Sequence, residues 1–475
     1  MLIINAEIYQ VGNADLRIES GIISDIGKLT AQPGEMVVDA GGCALIPGLN
    51  DHHLHFLSYA ASLGSVSCSP TSVKDRSGLA QLLSQHSSGD AWLRGIGYHE
   101  SIAGDIDCAW LDQYCYERPV RIQHRSGRLW IFNSAGIECL KQAMRESNVT
   151  ALPDRASLLT GRFYDAETLL SNLLGRQLPP VRISSERLAS FGITGFSDMT
   201  PSNDEATLSL YERLSHEGSL LQNVQLARST PFHIPTSTLI NQGPVKIHLH
   251  ESRLPPLEEL VNRIQQSHAA SVPVAVHCVT EIELLYTLAA LEESGTVPGD
   301  RIEHASITPE YALERIKALN ITIVTQPNFI EEKGDTYLSE IEDELHPTLY
   351  RCRTFLNWKI PLGGSSDAPF GSPDPWKVMR SAISRQTSGN QLIGTDEALS
   401  PEQALNLYLG SLESPGKIRV IRSGAPADLC LLQHPWDIAR LRLNKEDVRM
   451  VWIRGRQAYT RELEKVGLVG KASSI

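Results

Sequence analysis

Short apolar runs recur along the chain, each stopped by Gly, Pro or a polar cluster, which is the punctuation of strands. The clearest are ALIPGLNDHHLHF, ITGFSDM, NVQLA, PVKIHL, VPVAVHC, DRIEHASI, ITIVTQPN and IPLGGSSDAPF. Between several of them the apolar positions fall instead at i, i+3 and i+4. PLEELVNRIQQSHAA, before the fifth run, and TEIELLYTLAALEESG, after it, carry this helical period, and Gly295 supplies a stop. Strand alternating with helix is the pattern of parallel βα units, and eight such strands close a barrel. The predicted fold is α/β, a (β/α)8 barrel of the TIM type.

The two chain ends have another texture. LIINAEIYQ, DLRIESG, GIISDIG and EMVVDAGG read as β-hairpin material, and so do GAPADLCLLQH and VRMVWIRGRQAYT. The ends are expected to pair into one small composite β-sheet or sandwich domain, residues 1–48 plus 415–475, beside a barrel over residues 49–414. One interval breaks the βα rhythm: residues 57–180 separate the first strand from the second, far more than a βα loop needs, so an inserted subdomain is expected there.

The totals agree with this plan. A chain of 475 residues accommodates a barrel of about 250 residues or more and a smaller unit. With 41% hydrophobic and 21% charged residues it can bury a large core, which excludes a disordered chain. A net charge of −12 lacks the basic face that neutralises phosphates, so no nucleic-acid partner is expected. No leader pattern opens the chain, and no apolar stretch reaches the roughly 18 residues of a membrane span. A cytoplasmic protein without a membrane partner is the expectation. The eight cysteines form no CxxC pair and read as reduced, mostly buried thiols; Cys278 is set apart only by its neighbour His277.

Chemistry enters at the strand ends. In Asp51-His52-His53-Leu54-His55, residues two apart on a strand face the same way. His53 and His55 can therefore point together into a barrel and hold one metal ion through imidazole nitrogen. The same spacing also suits two polar residues at a strand end. His277 ends the fifth run and His304 the sixth, each after apolar residues that would strip an unpartnered ring of water. Singly, each reads as a buried histidine bonded to backbone. Lys246 inside the fourth run and Asp367 at the end of the eighth change that picture. Barrel active sites gather at C-terminal strand ends; five of these six residues stand there, with Lys246 slightly deeper.

In this order, His-x-His, Lys, His, His, Asp, the chain resembles the amidohydrolase superfamily, whose ligands lie on strands one, four, five, six and eight. LRGIGYHES, RPVRIQHRSGRLWIFNSAG, FGITGFSDM, RIEHASI, GGSSDAPFGSPDPW and GAPADLCLL narrow the resemblance to the YtcJ-like branch of the amidohydrolase 3 group, which contains N-substituted formamide deformylase. The resemblance implies one or two divalent metal ions, zinc first among the candidates, held by His53, His55, His277, His304 and Asp367. It implies that Asp367 is also the catalytic proton-transfer group, and that Lys246 stands where binuclear members carry a carboxylated lysine bridging two metals. The chain departs from the branch at Ser126-Gly127-Arg128 in place of Asp-Gly-His, at Cys278-Val279-Thr280-Glu281 in place of Gly-Asp, and at His250-Glu251 in place of Asp-Gly. These departures bear on the substrate rather than on the metal set.

The implied reaction is hydrolysis of an amide-type carbon–nitrogen bond in a small molecule. A divalent cation lowers the pKa of bound water to about 7 and polarises the scissile group. Asp367 would take the water proton and pass it to the departing nitrogen. A carboxylated Lys246 would bridge two cations, which an ammonium would repel. Alternation puts Lys246, His248 and His250 on one strand face, so His250 is a candidate for substrate contact or for a local cap. In the insertion His99, Glu100, His124 and Arg128 are candidates for substrate recognition, Arg128 through a donor fork that suits a carboxylate; each also fits an ordinary surface role. Trp92, Tyr98 and Trp130 read as core or pocket wall. Two other functions stay open. One is deamination of a heterocycle, for which Glu281 is the nearest extra glutamate; the other is a silent scaffold, against which the intact ligand set argues. A homo-oligomer is compatible with each.

Overall fold

The computed structural model describes residues 1–461 apart from 71, 90, 147–152, 175–178 and 232–238. Its centre is a ring of parallel strands: β1 (Leu49–Leu54), β2 (Ile193–Asp198), β3 (Asn223–Arg228), β4 (Ile240–His248), β5 (Val274–Cys278), β6 (Arg301–His304), β7 (Thr322–Thr325) and β8 (Leu362–Gly364). Each pairs in parallel with the next. Past β8 the ring returns to β1 through backbone hydrogen bonds from Asp367 N to His53 O (2.9 Å) and from His55 N to Ala368 O (2.8 Å). Strands covered on both faces need continuous apolar runs, and β1, β2 and β3 are buried along their whole lengths.

Helices Leu257–Ala269 and Glu281–Ser294 occupy the intervals on either side of β5, as their period predicts. The first turns Leu260, Val261 and Ile264 inward. The second starts at a capping box, Thr280 with Glu283, and stops at Gly295, whose φ of 75° an L side chain would resist.

The run ALIPGLNDHHLHF serves two sheets. Ala44–Pro47 pairs antiparallel with Leu429–Leu432, and only from Leu49 does the chain enter the barrel beside β2. Gly48 stands between them, where a Cβ would come within 2.2 Å of Thr194 Cγ2. The pairing of Ala44–Pro47 joins the two ends of the chain. Leu2–Ile8, Gly12–Glu19, Ile22–Gly27 and Val37–Asp39 from the start, with Val448–Ile453 and Arg456–Thr460 from the end, complete one eight-stranded sheet over a core of Ile3, Leu16, Leu45, Leu429 and Trp452. Residues 462–475, expected to belong to this composite domain, lie outside the described residues.

Leu57–Val181 forms a compact unit of its own. Its sheet has the spatial order Arg162–Tyr164, Leu129–Phe132, Val120–His124, Leu93–Tyr98, Val66–Ser67. One apolar core gathers round Leu79, Leu93, Tyr98 and Ile106, and a second round Trp130, Phe132 and Phe163. No helix among the described residues is long and apolar enough to cross a membrane. All eight cysteines are free thiols.

Candidate metal centre

β1 delivers His53, and the chain just past its end delivers His55. Their Nε2 atoms lie 3.5 and 3.3 Å from Asp367 Oδ1, and one ligand atom from each of the three residues falls within 4.8 Å of the others. β6 and β5 add two more rings: the His304 centroid is 4.8 Å from that of His53 and 4.5 Å from that of His277. From β4 a column of imidazoles leads outward, His248 stacked on His277 at 4.2 Å and His250 on His248 at 4.6 Å. Lys246, two residues before His248, is buried, and its charge adds to burial in depressing the basicity of His53, His277 and His304. The six side chains singled out at the strand ends thus converge, with His250 at the outer end of the column.

Backbone conformation contributes to this convergence. Asp367, His304 and Ala305 have φ values of 53°, 71° and 45°, in the left-handed region that non-glycine residues adopt at a cost of about 1–3 kcal/mol each. Strict alternation along β6 would send Glu303 and His304 to opposite faces. The left-handed turn at His304 cancels that, and both residues meet His53.

Burial keeps His53, His277 and His304 well below their ordinary pKa, so each ring is neutral and has a lone pair to offer. Outer partners decide which nitrogen offers it. Glu303 Oε2 lies 2.5 Å from His53 Nδ1, Gln326 Oε1 2.8 Å from His304 Nδ1, and Thr200 Oγ1 3.0 Å from His55 Nδ1. An acceptor oxygen behind each Nδ1 draws the proton there and leaves Nε2 facing the centre. Glu303 is itself fixed by Arg301, whose Nη2 also donates to His52 O at 2.7 Å.

Thr200 is held by Asp198. The Asp198 Oδ1 accepts from Thr200 N (2.9 Å) and Asn203 Nδ2 (3.1 Å), while Oδ2 accepts from Phe56 N (3.2 Å) and the Tyr211 hydroxyl. Asp198→Asn sets an amide donor against these donors. It is expected to destabilise the fold by about 1–3 kcal/mol, read as a lower denaturant midpoint at unchanged m-value.

Of the six side chains gathered here, Lys246 Nζ and Asp367 Oδ1 are buried without a hydrogen-bond partner among the described residues. Burial pushes Lys246 down to about 8. Burial alone would raise the Asp367 carboxyl, but the neighbouring His55 and His53 rings outweigh it and hold the group below its ordinary value. Neutral imidazoles converging on an ionised carboxylate are a donor set that fits a divalent cation.

Sequence reasoning missed Glu303, Gln326, Thr200 and Asp198. A signal existed for Glu303, an acid one residue before His304 in the strand RIEH; the others are polar residues whose value depends on which ring they stand behind. His99, His124 and Arg128 belong to the inserted unit. There the Arg128 fork faces Asp165, Nε and Nη2 donating to Oδ1 (2.7 Å) and Oδ2 (2.6 Å) in an exposed ion pair. Glu281, the candidate for a deaminase glutamate, receives the Tyr311 hydroxyl instead.

The sequence profile of the amidohydrolase family matches residues 36–459. N-substituted formamide deformylase of Arthrobacter pascens is 22% identical, over 97% of this chain and 98% of its own length. The putative amidohydrolase YtcJ of Bacillus subtilis strain 168 is 23% identical, over 93% and 95%. The crystal structure of an uncharacterized metal-dependent hydrolase from Pyrococcus horikoshii OT3 has a TM-score of 0.73 at 21% identity, over 91% of this chain and 96% of that one, a likeness of fold.

Proposed function

This chain belongs to the amidohydrolase family, and on that premise we propose that it is a metal-dependent hydrolase that splits an amide-type carbon–nitrogen bond of a small molecule at its barrel centre. The observation that carries this reading is the convergence of His53, His55, His277, His304 and Asp367, which we take as the ligands of one or two ions, zinc first among them. When bound, the metal supplies an electrophile and water that ionises near neutral pH. The residues do the rest. Glu303, Gln326 and Thr200 fix the tautomers of three rings. Asp367, held ionised, takes a proton from water and returns it to the departing nitrogen.

Lys246 has the remaining part. As an ammonium it would repel a cation beside it. Held at about 8, it reaches the neutral amine form that adds carbon dioxide to give a carbamate and release a proton. So carboxylated, Lys246 would offer an anionic ligand to a second ion in place of a repelling ammonium. His250, exposed at the end of the imidazole column, is assigned to substrate contact.

The deformylase relative makes N-formylated amines the first compounds to try. Protein stripped by chelator and reloaded with zinc is to be tested on N-formylated and N-acylated amines, cyclic amides and aminated heterocycles. Release of carboxylate and amine, only with metal present, is expected. Ammonia from a heterocycle would replace this reading by deamination, and turnover that survives chelation would reject the metal. Glu303→Gln, which weakens the acceptor behind His53 but leaves every ligand, is expected to reduce zinc affinity by about 10- to 100-fold, measured by competition with a chromophoric chelator.

A further inference from the structure

We propose that the inserted unit holds a divalent cation of its own, bound by His99 Nε2, His124 Nε2 and a carboxylate oxygen of Glu100. Ligand atoms of these three residues lie within 4.8 Å of one another. Glu100 Oε2 is 3.1 Å from His124 Nε2 and 3.5 Å from His99 Nε2, and the ring centroids are 5.8 Å apart with planes inclined at 32°. The framework sets this placement. Strands Leu93–Tyr98 and Val120–His124 run parallel with Tyr98 opposite His124, so the residue that follows one strand stands beside the last residue of the other.

Behind both rings the chain repeats one device. In His99-Glu100-Ser101 and His124-Arg125-Ser126 the serine hydroxyl lies against Nδ1, at 2.8 and 2.7 Å. Binding an ion requires the tautomer in which the serine hydroxyl accepts the Nδ1 proton and Nε2 turns its lone pair toward Glu100, at the cost of the bond that the backbone N–H of the same serine gives to Nδ1. Side-chain exposures of 26%, 13% and 45% for His99, His124 and Glu100 leave one side open to water, so an ion there can complete its shell from solvent. Two imidazoles and one carboxylate suit zinc or another late first-row divalent ion better than magnesium or calcium.

The opposite tautomers make a different object. In them the Ser101 and Ser126 backbone N–H groups donate to Nδ1 at 3.2 and 3.1 Å, both Nε2–H groups donate to Glu100, and the trio is a closed hydrogen-bonded knot without an ion. The proposal does not depend on the barrel centre.

Zinc bound per chain, measured by plasma mass spectrometry on the full-length protein, separates the two. His124→Gln is expected to bind one ion fewer than wild type. His55→Ala, which disables the barrel centre, is expected to keep the ion that His124→Gln loses. Ser126→Ala leaves all three ligands in place and is expected to weaken that ion by about 10- to 100-fold in chelator competition. Equal zinc content in wild type and His124→Gln overturns the proposal. Should His124→Gln fail to fold, an affinity unchanged in Ser126→Ala overturns it equally.

Discussion

Asp367→Asn is expected to lower kcat by about 100- to 10,000-fold while leaving thermal unfolding nearly unchanged. The substitution keeps shape and one oxygen but removes the group that accepts and returns a proton. It loses no hydrogen bond at Oδ1, which has no partner among the described residues. The backbone tolerates it, because Asp367 sits at φ 53°, and asparagine is among the residues that best adopt the left-handed region. The anchor from Asp367 N to His53 O, 2.9 Å, belongs to the main chain and is kept. Loss of turnover is then chemical rather than structural. Activity within tenfold of wild type, at full metal loading, would remove Asp367 from the proton transfer.

Lys246→Met is expected to separate stability from function. In the metal-free protein the buried Nζ has no partner among the described residues, and an uncompensated buried polar group costs about 1–3 kcal/mol or more when charged. Methionine keeps length and apolar volume without that cost, so the metal-free variant should be more stable at neutral pH. The pH dependence identifies the cause. Burial lowers Lys246 from 10.5 to about 8 in the folded protein, so between these values the unfolded chain binds the proton and the folded one does not. Stability of the metal-free protein therefore rises with pH through that window, by something on the order of 3 kcal/mol. The cost is fully present below about 8 and gone above 10.5. The methionine variant should lack this rise in paired denaturation curves. With zinc it should be unable to hold a second ion and should show no measurable turnover. A variant with the same pH dependence as wild type would show that Lys246 is not the buried cation described here.

Much of this architecture was legible because it rests on rules of short range. Each barrel strand follows or carries a short apolar stretch stopped by Gly, Pro or a polar cluster, and His53 and His55 share a side because they are two residues apart. What stayed hidden depends on long-range packing. The boundary inside ALIPGLNDHHLHF follows from pairings with Leu429–Leu432 on one side and Ile193–Asp198 on the other, both far along the chain. Glu303 escaped because the left-handed φ of His304 breaks the alternation that otherwise sorts faces. The ion pair of Arg128 was hidden because Asp165 lies 37 residues away. The Nδ1 partners Gln326 and Thr200 lie 22 and 145 residues from the rings they orient.

Diffraction from zinc-loaded crystals, recorded on either side of the zinc absorption edge, tests the barrel centre most directly. The expected result is anomalous density about 2.0–2.2 Å from His53 Nε2, His55 Nε2 and Asp367, with Lys246 Nζ continuing into an added carboxylate. A barrel centre free of anomalous density, in crystals whose protein still turns over substrate, would contradict it.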